Sequence, residues 1–252
     1  MRLSNGSRVR AAIGACLLAS GLALAGAGVA SADSLVTVGS PTTTFPQNKQ
    51  NEPSVAIDPA DPSIVVAGAN EEIDLAPCNG SSCPFTHGVG TSGFYFSTNG
   101  GAGWTQPTYT GFSARTGTGI EGGPIGTVPK YDTVGLVSDG DPALAFGPQP
   151  GPDGFSWDNG ARLYYGNLTA NFATTRTDQA FKGFEAIAVS HNDNIANLPA
   201  TSQSDWTAPV VVSSGKQSSS TFSDKPDLWA DNAATSRHFG TAVMAPLEAP
   251  HD

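Results

Sequence analysis

Asn51-Glu52-Pro53-Ser54-Val55-Ala56-Ile57-Asp58 returns as Gly140-Asp141-Pro142-Ala143-Leu144-Ala145-Phe146 and again as Asp224-Lys225-Pro226-Asp227-Leu228-Trp229-Ala230-Asp231. Each copy alternates around a leading proline, which suits the first residue of a strand because no ladder hydrogen bond is lost there. The three prolines stand 89 and 84 residues apart. A spacing that long, carrying one strand signature three times, marks a repeated supersecondary unit.

Outward from these stretches the same series of strands follows. Second strands are predicted at residues 63–68, 162–167 and 238–244, the first after the turn Asp58-Pro59-Ala60-Asp61-Pro62 and the second after a Gly/Pro/Asp-rich stretch at 147–160. Third strands are predicted at 93–97 and 185–190, and fourth strands after Trp104 and Trp206. No amphipathic helix interrupts them. Four short strands in a row, repeated along the chain, predict an all-β fold of propeller blades, with a β-sandwich as the rival architecture. About two and a half blades fit between residues 51 and 252, and residues 245–252 do not read as a strand. A closed ring needs more sheet than this, so the chain reads as an incomplete ring: a fragment, a truncated product or an oligomer-forming piece.

Between the third and fourth strands of the first unit lies Ser97-Thr98-Asn99-Gly100-Gly101-Ala102-Gly103-Trp104. It follows the Asp-box pattern Ser-x-Asp-x-Gly-x-x-Trp, with Asn99 in the aspartate position. Asn closes a turn through its side chain, Gly101 supplies a positive φ, and Trp104 covers the turn. A looser copy runs from Ser190-His191-Asn192 to Trp206-Thr207-Ala208-Pro209, and Trp104-Thr105-Gln106-Pro107 matches its close. On these residues, over about 51–245, the chain resembles the sialidase-like superfamily of exo-α-sialidases and BNR-repeat proteins. The resemblance implies a six-bladed propeller with substrate at its axis. It further implies a secreted protein that hydrolyses terminal sugars of glycans through an Arg clamp, a Tyr/Glu nucleophile pair and an Asp acid/base. The Phe/Tyr-Arg-Ile-Pro motif that carries the first clamp Arg is missing. The alternative reading is therefore a non-catalytic extracellular propeller that binds a glycan or a protein, or an inactive fragment.

The N-terminus reads as an export signal. Arg2, Arg8 and Arg10 precede an apolar run from residue 11 to 29, and Ala30-Ser31-Ala32 offers a cleavage site. The chain then divides into a signal at 1–32, a Ser/Thr/Pro-rich leader at 33–50 and the partial propeller at 51–252. No second long apolar stretch follows, so no membrane association is expected. Without the three Arg of residues 1–32, nine basic residues face 22 acidic ones, a formal charge of −13. Such a surface excludes nucleic acid as a partner, since phosphates need Lys and Arg, and it disfavours an anionic sugar. Cys78 and Cys83, in an exported chain, read as a small disulfide loop.

Candidate chemistry gathers at the strand starts. The residues before the repeated prolines are Glu52, Asp141 and Lys225, flanked by Asn51, Asp139 and Asp224. In a propeller they would ring the mouth of the channel. Glu52 and Asp141 are the candidate catalytic carboxylates, because glycosidic chemistry uses one acid and one base or nucleophile. The same groups suit Ca²⁺, although no cofactor is required, and they also suit a purely structural role at solvated strand starts. Arg162 and Tyr131 are the candidate substrate-binding residues, with core packing as the competing role for Tyr131, Tyr164 and Tyr165. His87, His191 and His238 have no partners at metal-ligand spacing and read as loop or surface residues.

Overall fold

A computed structural model describes residues 33–80, 82–83, 85–195, 202–213 and 221–250; the export signal expected at 1–32 lies outside the described residues. Among them there are twelve strands and no α-helix. In chain order they are β1 (Gln50–Ile57), β2 (Val65–Glu71), β3 (Ser92–Ser97), β4 (Tyr109–Ser113), β5 (Glu121–Ile125), β6 (Leu136–Ser138), β7 (Ala143–Gly151), β8 (Gly154–Asn171), β9 (Ala186–Asn192), β10 (Val210–Val211), β11 (Thr221–Ala230) and β12 (Ala242–Pro250). They form antiparallel sheets, none closed on itself. The first is β1-β2-β3. The second runs β10-β9-β8-β6, with β7 also on β8. The third is β11-β12, and β4-β5 is a separate hairpin.

All three Pro-led stretches begin or sit within strands, β1, β7 and β11, and each pairs with the strand that follows it. β2, β3 and β9 fall within a few residues of the second and third strands that the sequence places there, and β8 contains the expected strand at 162–167 but extends from Gly154 to Asn171. Four findings depart from the sequence expectation. The stretch 147–160 is a long hairpin rather than a loop, because Pro148 and Pro150 face Ala161 and Phe155 on a two-stranded extension where few amide donors are needed. Residues 242–250 form β12 throughout, paired to β11 as far as Thr221↔Pro250. No ladder strand directly follows Trp104, only the bridge Phe96↔Thr105. The hairpin β4–β5 and the short β6 are additions between the first two units.

The sheets stack face to face. Ile64, Val66, Phe94 and Phe96 of the first unit meet Leu144, Phe146, Leu163 and Tyr165 of the second in the main core. Trp206 plugs this junction, its ring edge-on to Phe94 at 5.0 Å and to Tyr165 at 6.0 Å, with its indole N–H donated to the Tyr109 hydroxyl at 2.9 Å. A smaller core joins Ala143 and Tyr164 of the second sheet to Leu228 and Ala230 of the third. Polar ties reinforce the first junction: the Tyr165 hydroxyl donates to the Gly93 carbonyl, and the Asn167 amide donates to Ser92 Oγ.

The Asp-box turn forms as its spacing requires. Ser97 Oγ accepts from the Gly101 amide at 2.9 Å and Asn99 Oδ1 accepts from the Gly103 amide at 2.8 Å, so Asn99 closes the turn with the same acceptor geometry that an aspartate would supply. Gly100 and Gly101 hold φ of 67° and 89°. Trp104 donates to Ser34 Oγ at 3.1 Å, which fastens the leader to this turn.

The leader is therefore part of the folded unit. Ser40 Oγ donates to the buried Glu71 carboxylate at 2.6 Å, the Lys49 ammonium pairs with Glu72 at 2.7 Å, and the Cys78 amide donates to the Phe45 carbonyl. The disulfide Cys78–Cys83 closes the adjoining loop.

Candidate functional site

Two neighbouring features carry the polar chemistry. The first lies where β1, β7 and β11 begin. Glu52, Asp141 and Lys225 each adopt a left-handed backbone, with φ of 51°, 47° and 45°. This conformation costs a non-glycine residue roughly 1–2 kcal/mol, and it recurs at the same place in all three repeats. In β1 and β11 it accompanies a break in register, between Asn51 and Ser54 and between Asp224 and Asp227. A bulge of this kind re-aims a side chain, and with the left-handed backbone shared by all three the side chains meet. The Lys225 ammonium donates to Glu52 Oε2 at 2.7 Å and to Asp141 Oδ2 at 2.8 Å. Asn70 Nδ2 donates to Asp141 Oδ1 at 3.1 Å, and Gly140 lets it approach, since a Cβ there would lie 2.6 Å from Asn70 Oδ1. The three prolines and three charged groups line an open cavity of about 370 Å³.

Burial alone would raise the Asp141 carboxyl, but hydrogen bonds with Glu52, Lys225 and Asn70 hold it below the usual range. Glu185, at the foot of β9, moves the other way. Burial first, then the charges of Asp139, Asp224 and Asp141, push it up to about 8. Asp139 is also raised, by burial and by Asp141, with His87 opposing. Asp141 is thus kept ionised at the rim, while Glu185, within electrostatic reach of it, is kept protonated near neutral pH. Lys225 occupies the place between Glu52 and Asp141 that a cation would take, and among the described residues no group of three or more His, Cys, Asp or Glu is arranged to hold a metal ion.

The second feature is a cavity of about 490 Å³ beside Asp139, lined by residues 85–89, by Val137 and Asp139, and by parts of the segments 170–174 and 179–184. Its polar lining includes His87, Asp139, Asn171 and Gln179, and it is flanked by Phe85 and Phe184, which are 64% and 70% exposed. Exposed aromatic rings beside carboxyl and amide groups supply an apolar face and a polar edge, the combination a sugar ring presents in reverse. No local sequence signal marks this cavity, whose walls come from four separate segments.

The other sequence candidates are engaged internally. Arg162 makes a bidentate pair with Asp193, Nε–Oδ1 and Nη2–Oδ2 both 2.6 Å, and lies over the Tyr164 ring. Tyr131 is buried and donates its hydroxyl to Asn167. Arg115 is paired to the buried Asp74 at 2.7 Å. A Tyr/Glu pair does occur, Tyr95 to Glu71 at 2.6 Å, but both groups are fully buried. Burial and the Glu71 charge push the Tyr95 hydroxyl far above its ordinary range, so it stays protonated and ties β3 to the same β2 carboxylate that Ser40 of the leader binds. His191 lies on β9, 3.5 Å from Asp193, and His87 contacts the Phe172 carbonyl at 3.0 Å.

The Glu185 environment sets a pH dependence. Its carboxyl is raised from 4.5 to about 8 in the fold, so between those values the folded chain keeps a proton that the unfolded chain releases. Stability from this group is fully present below 4.5 and is lost as pH rises toward 8, and Asp139 acts in the same direction. The melting temperature should fall across this window and fall less in Glu185→Gln; identical slopes in the two proteins would contradict the assignment.

Compared with family models, with curated proteins and with solved structures, the chain has no match.

Proposed function

We propose that this protein is an exported, propeller-type glycan-binding protein that holds neutral or amino sugars in the cavity beside Asp139. The single observation that carries the reading is that cavity, with two exposed phenylalanines flanking a lining of His87, Asp139, Asn171 and Gln179. The propeller architecture is supported by the face-to-face stacking of three repeat-related sheets and by the convergence of their first strands on one rim. The Asp-box turn and the sialidase-like resemblance point the same way. Sialic acid itself fits poorly. The rim is acidic, and Arg115 and Arg162 are already paired with Asp74 and Asp193, which leaves neither for a carboxylate clamp.

Phe184→Ala is expected to weaken sugar binding at least tenfold, because stacked aromatic groups dominate the energy of such sites. A glycan array probed with the wild-type protein and this variant provides the measurement. Binding to neutral or amino sugars that is unaffected by Phe184→Ala would contradict the assignment of the site.

A second reading, glycoside hydrolysis, is favoured by the opposed shifts of Asp141 and Glu185. In it Glu185 would protonate the leaving oxygen and an ionised rim carboxylate would act as base or nucleophile. A panel of fluorogenic glycosides decides it. Turnover abolished by Glu185→Gln supports hydrolysis, and sugar binding without turnover leaves the binding reading alone.

A further inference from the structure

The three sheets stack by one rule. On β1, β7 and β11 the second and fourth residues after the proline lie on one face, and the first and third lie on the other, as strand alternation dictates. Leu144 and Phe146 pack back onto the first sheet, and Leu228 and Ala230 pack back onto the second. On the opposite faces, Ala56 and Ala145 receive them. Each sheet therefore has a leading face, which packs on the sheet before it, and a trailing face, which accepts the sheet after it.

Second strands follow the same rule. Tyr165 and Met244 stand opposite Leu144 and Leu228 on leading faces. They seat on Gly68 and Gly166 of the preceding sheet, where a side chain would collide with them. Within the chain, then, large leading-face residues fit against small trailing-face ones.

Two faces have no such neighbour among the described residues. The leading face of the first sheet exposes Val55 at 65% and Ile57, and the trailing face of the third exposes Trp229 at 63% and Val243. Their sizes are reversed with respect to the internal junctions. Opposite Val55, where Tyr165 and Met244 stand in the other sheets, the first sheet has Ala67. Beside it lies an apolar cavity of about 360 Å³ between Val55 and the leader, whose Val36 packs on Ala67, Ala69 and Tyr95 and lines one side of the opening. Where Ala56 and Ala145 stand on the other trailing faces, the third sheet has Trp229. The large residue missing from one face is the extra residue on the other.

We infer that these two faces join copies of this chain head to tail, the Trp229 side chain of one copy entering the cavity beside Ala67 of the next. The contact repeats the trailing-to-leading junction already present twice within the chain, with the small and large partners exchanged. It is heterologous, so it closes into a ring or continues as a filament according to the rotation between copies.

Sedimentation velocity over a range of protein concentrations tests it. The wild-type chain should associate as concentration rises, with Trp229 emission shifting to the blue as its ring leaves water. Trp229→Asp and Val55→Asp should each weaken association by roughly thirtyfold or more, as loss of an interface hot spot does. Both positions are solvent-exposed in the single chain, so unchanged urea unfolding of each variant serves as the check that it is folded. Mixing the two variants should restore a one-to-one complex through the single remaining pair of intact faces. A chain that stays monomeric at every concentration overturns the inference. So does association that survives both substitutions, or a mixture of the two variants that remains monomeric.

Discussion

Trp206→Ala is expected to destabilise the protein by about 3–5 kcal/mol, the usual cost of removing a buried tryptophan or phenylalanine. Its side chain fills the junction of the first and second sheets, beside the rings of Phe94 and Tyr165. The indole N–H is also the partner of the Tyr109 hydroxyl, so the substitution leaves that buried group unpaired and loosens the β4–β5 hairpin at the same time. Trp206→Phe separates the two effects. It keeps most of the ring contacts and loses the hydrogen bond, which adds about 1–2 kcal/mol on top of the smaller cavity. Urea unfolding measures both. An effect of Trp206→Ala no larger than that of an average surface substitution would contradict the packing described.

Asp74→Ala is expected to cost about 3 kcal/mol, the lower end of the range for breaking a buried ion pair by removing one partner. Asp74 is fully buried and accepts from Arg115 Nε at 2.7 Å, the Gly126 amide at 3.0 Å and Thr127 Oγ1 at 3.0 Å. Without it the Gly126 and Thr127 donors lose their acceptor. Arg115 is partly exposed and recovers water, which keeps the cost from the upper end. The same carboxylate ties the segment after β2 to the β5 end, and Leu75 and Ala114 pack with Val89, which borders the large cavity. Loss of stability should therefore be accompanied by weaker sugar binding. Urea unfolding and a sugar titration of the same variant check the pair of effects, and a change below 1 kcal/mol would contradict the role assigned to Asp74.

The sequence revealed the parts of this protein that rest on local rules. The three Pro-led strands, the Asp-box turn at Ser97–Trp104 and the Cys78–Cys83 loop each follow from a few adjacent residues, and each forms. The prolines do not begin the strands as expected: Pro142 precedes β7, and Pro53 and Pro226 lie inside β1 and β11 at breaks in register, where a proline also costs no ladder hydrogen bond. The β4–β5 hairpin was hidden because Gly111, Gly122, Gly123 and Pro124 all argue against a strand, and long-range packing of Tyr109 and Ile125 into the core overrides them. The outer part of the β7–β8 hairpin, at 147–160, is masked in the same way by Pro148, Pro150 and Gly151.

The rim was legible only in part. Spacing groups Glu52, Asp141 and Lys225 at equivalent places, but nothing in a Glu, an Asp or a Lys announces the left-handed backbone that points them at one another. Lys225, rather than a substrate, turned out to sit between the two carboxylates. Glu185 owes its raised pKa to burial and to Asp139, Asp224 and Asp141, charges that only the fold assembles around it.

The most direct test of the account is an NMR titration of the isotope-labelled protein with neutral and amino sugars. The account predicts that amide signals of Gly88, Asn171, Gln179 and Phe184, which line the large cavity, shift together and saturate, while those of Glu71 and Tyr95 do not move. Shifts that appear away from this cavity with every sugar, or no shifts at all from folded protein, would contradict it.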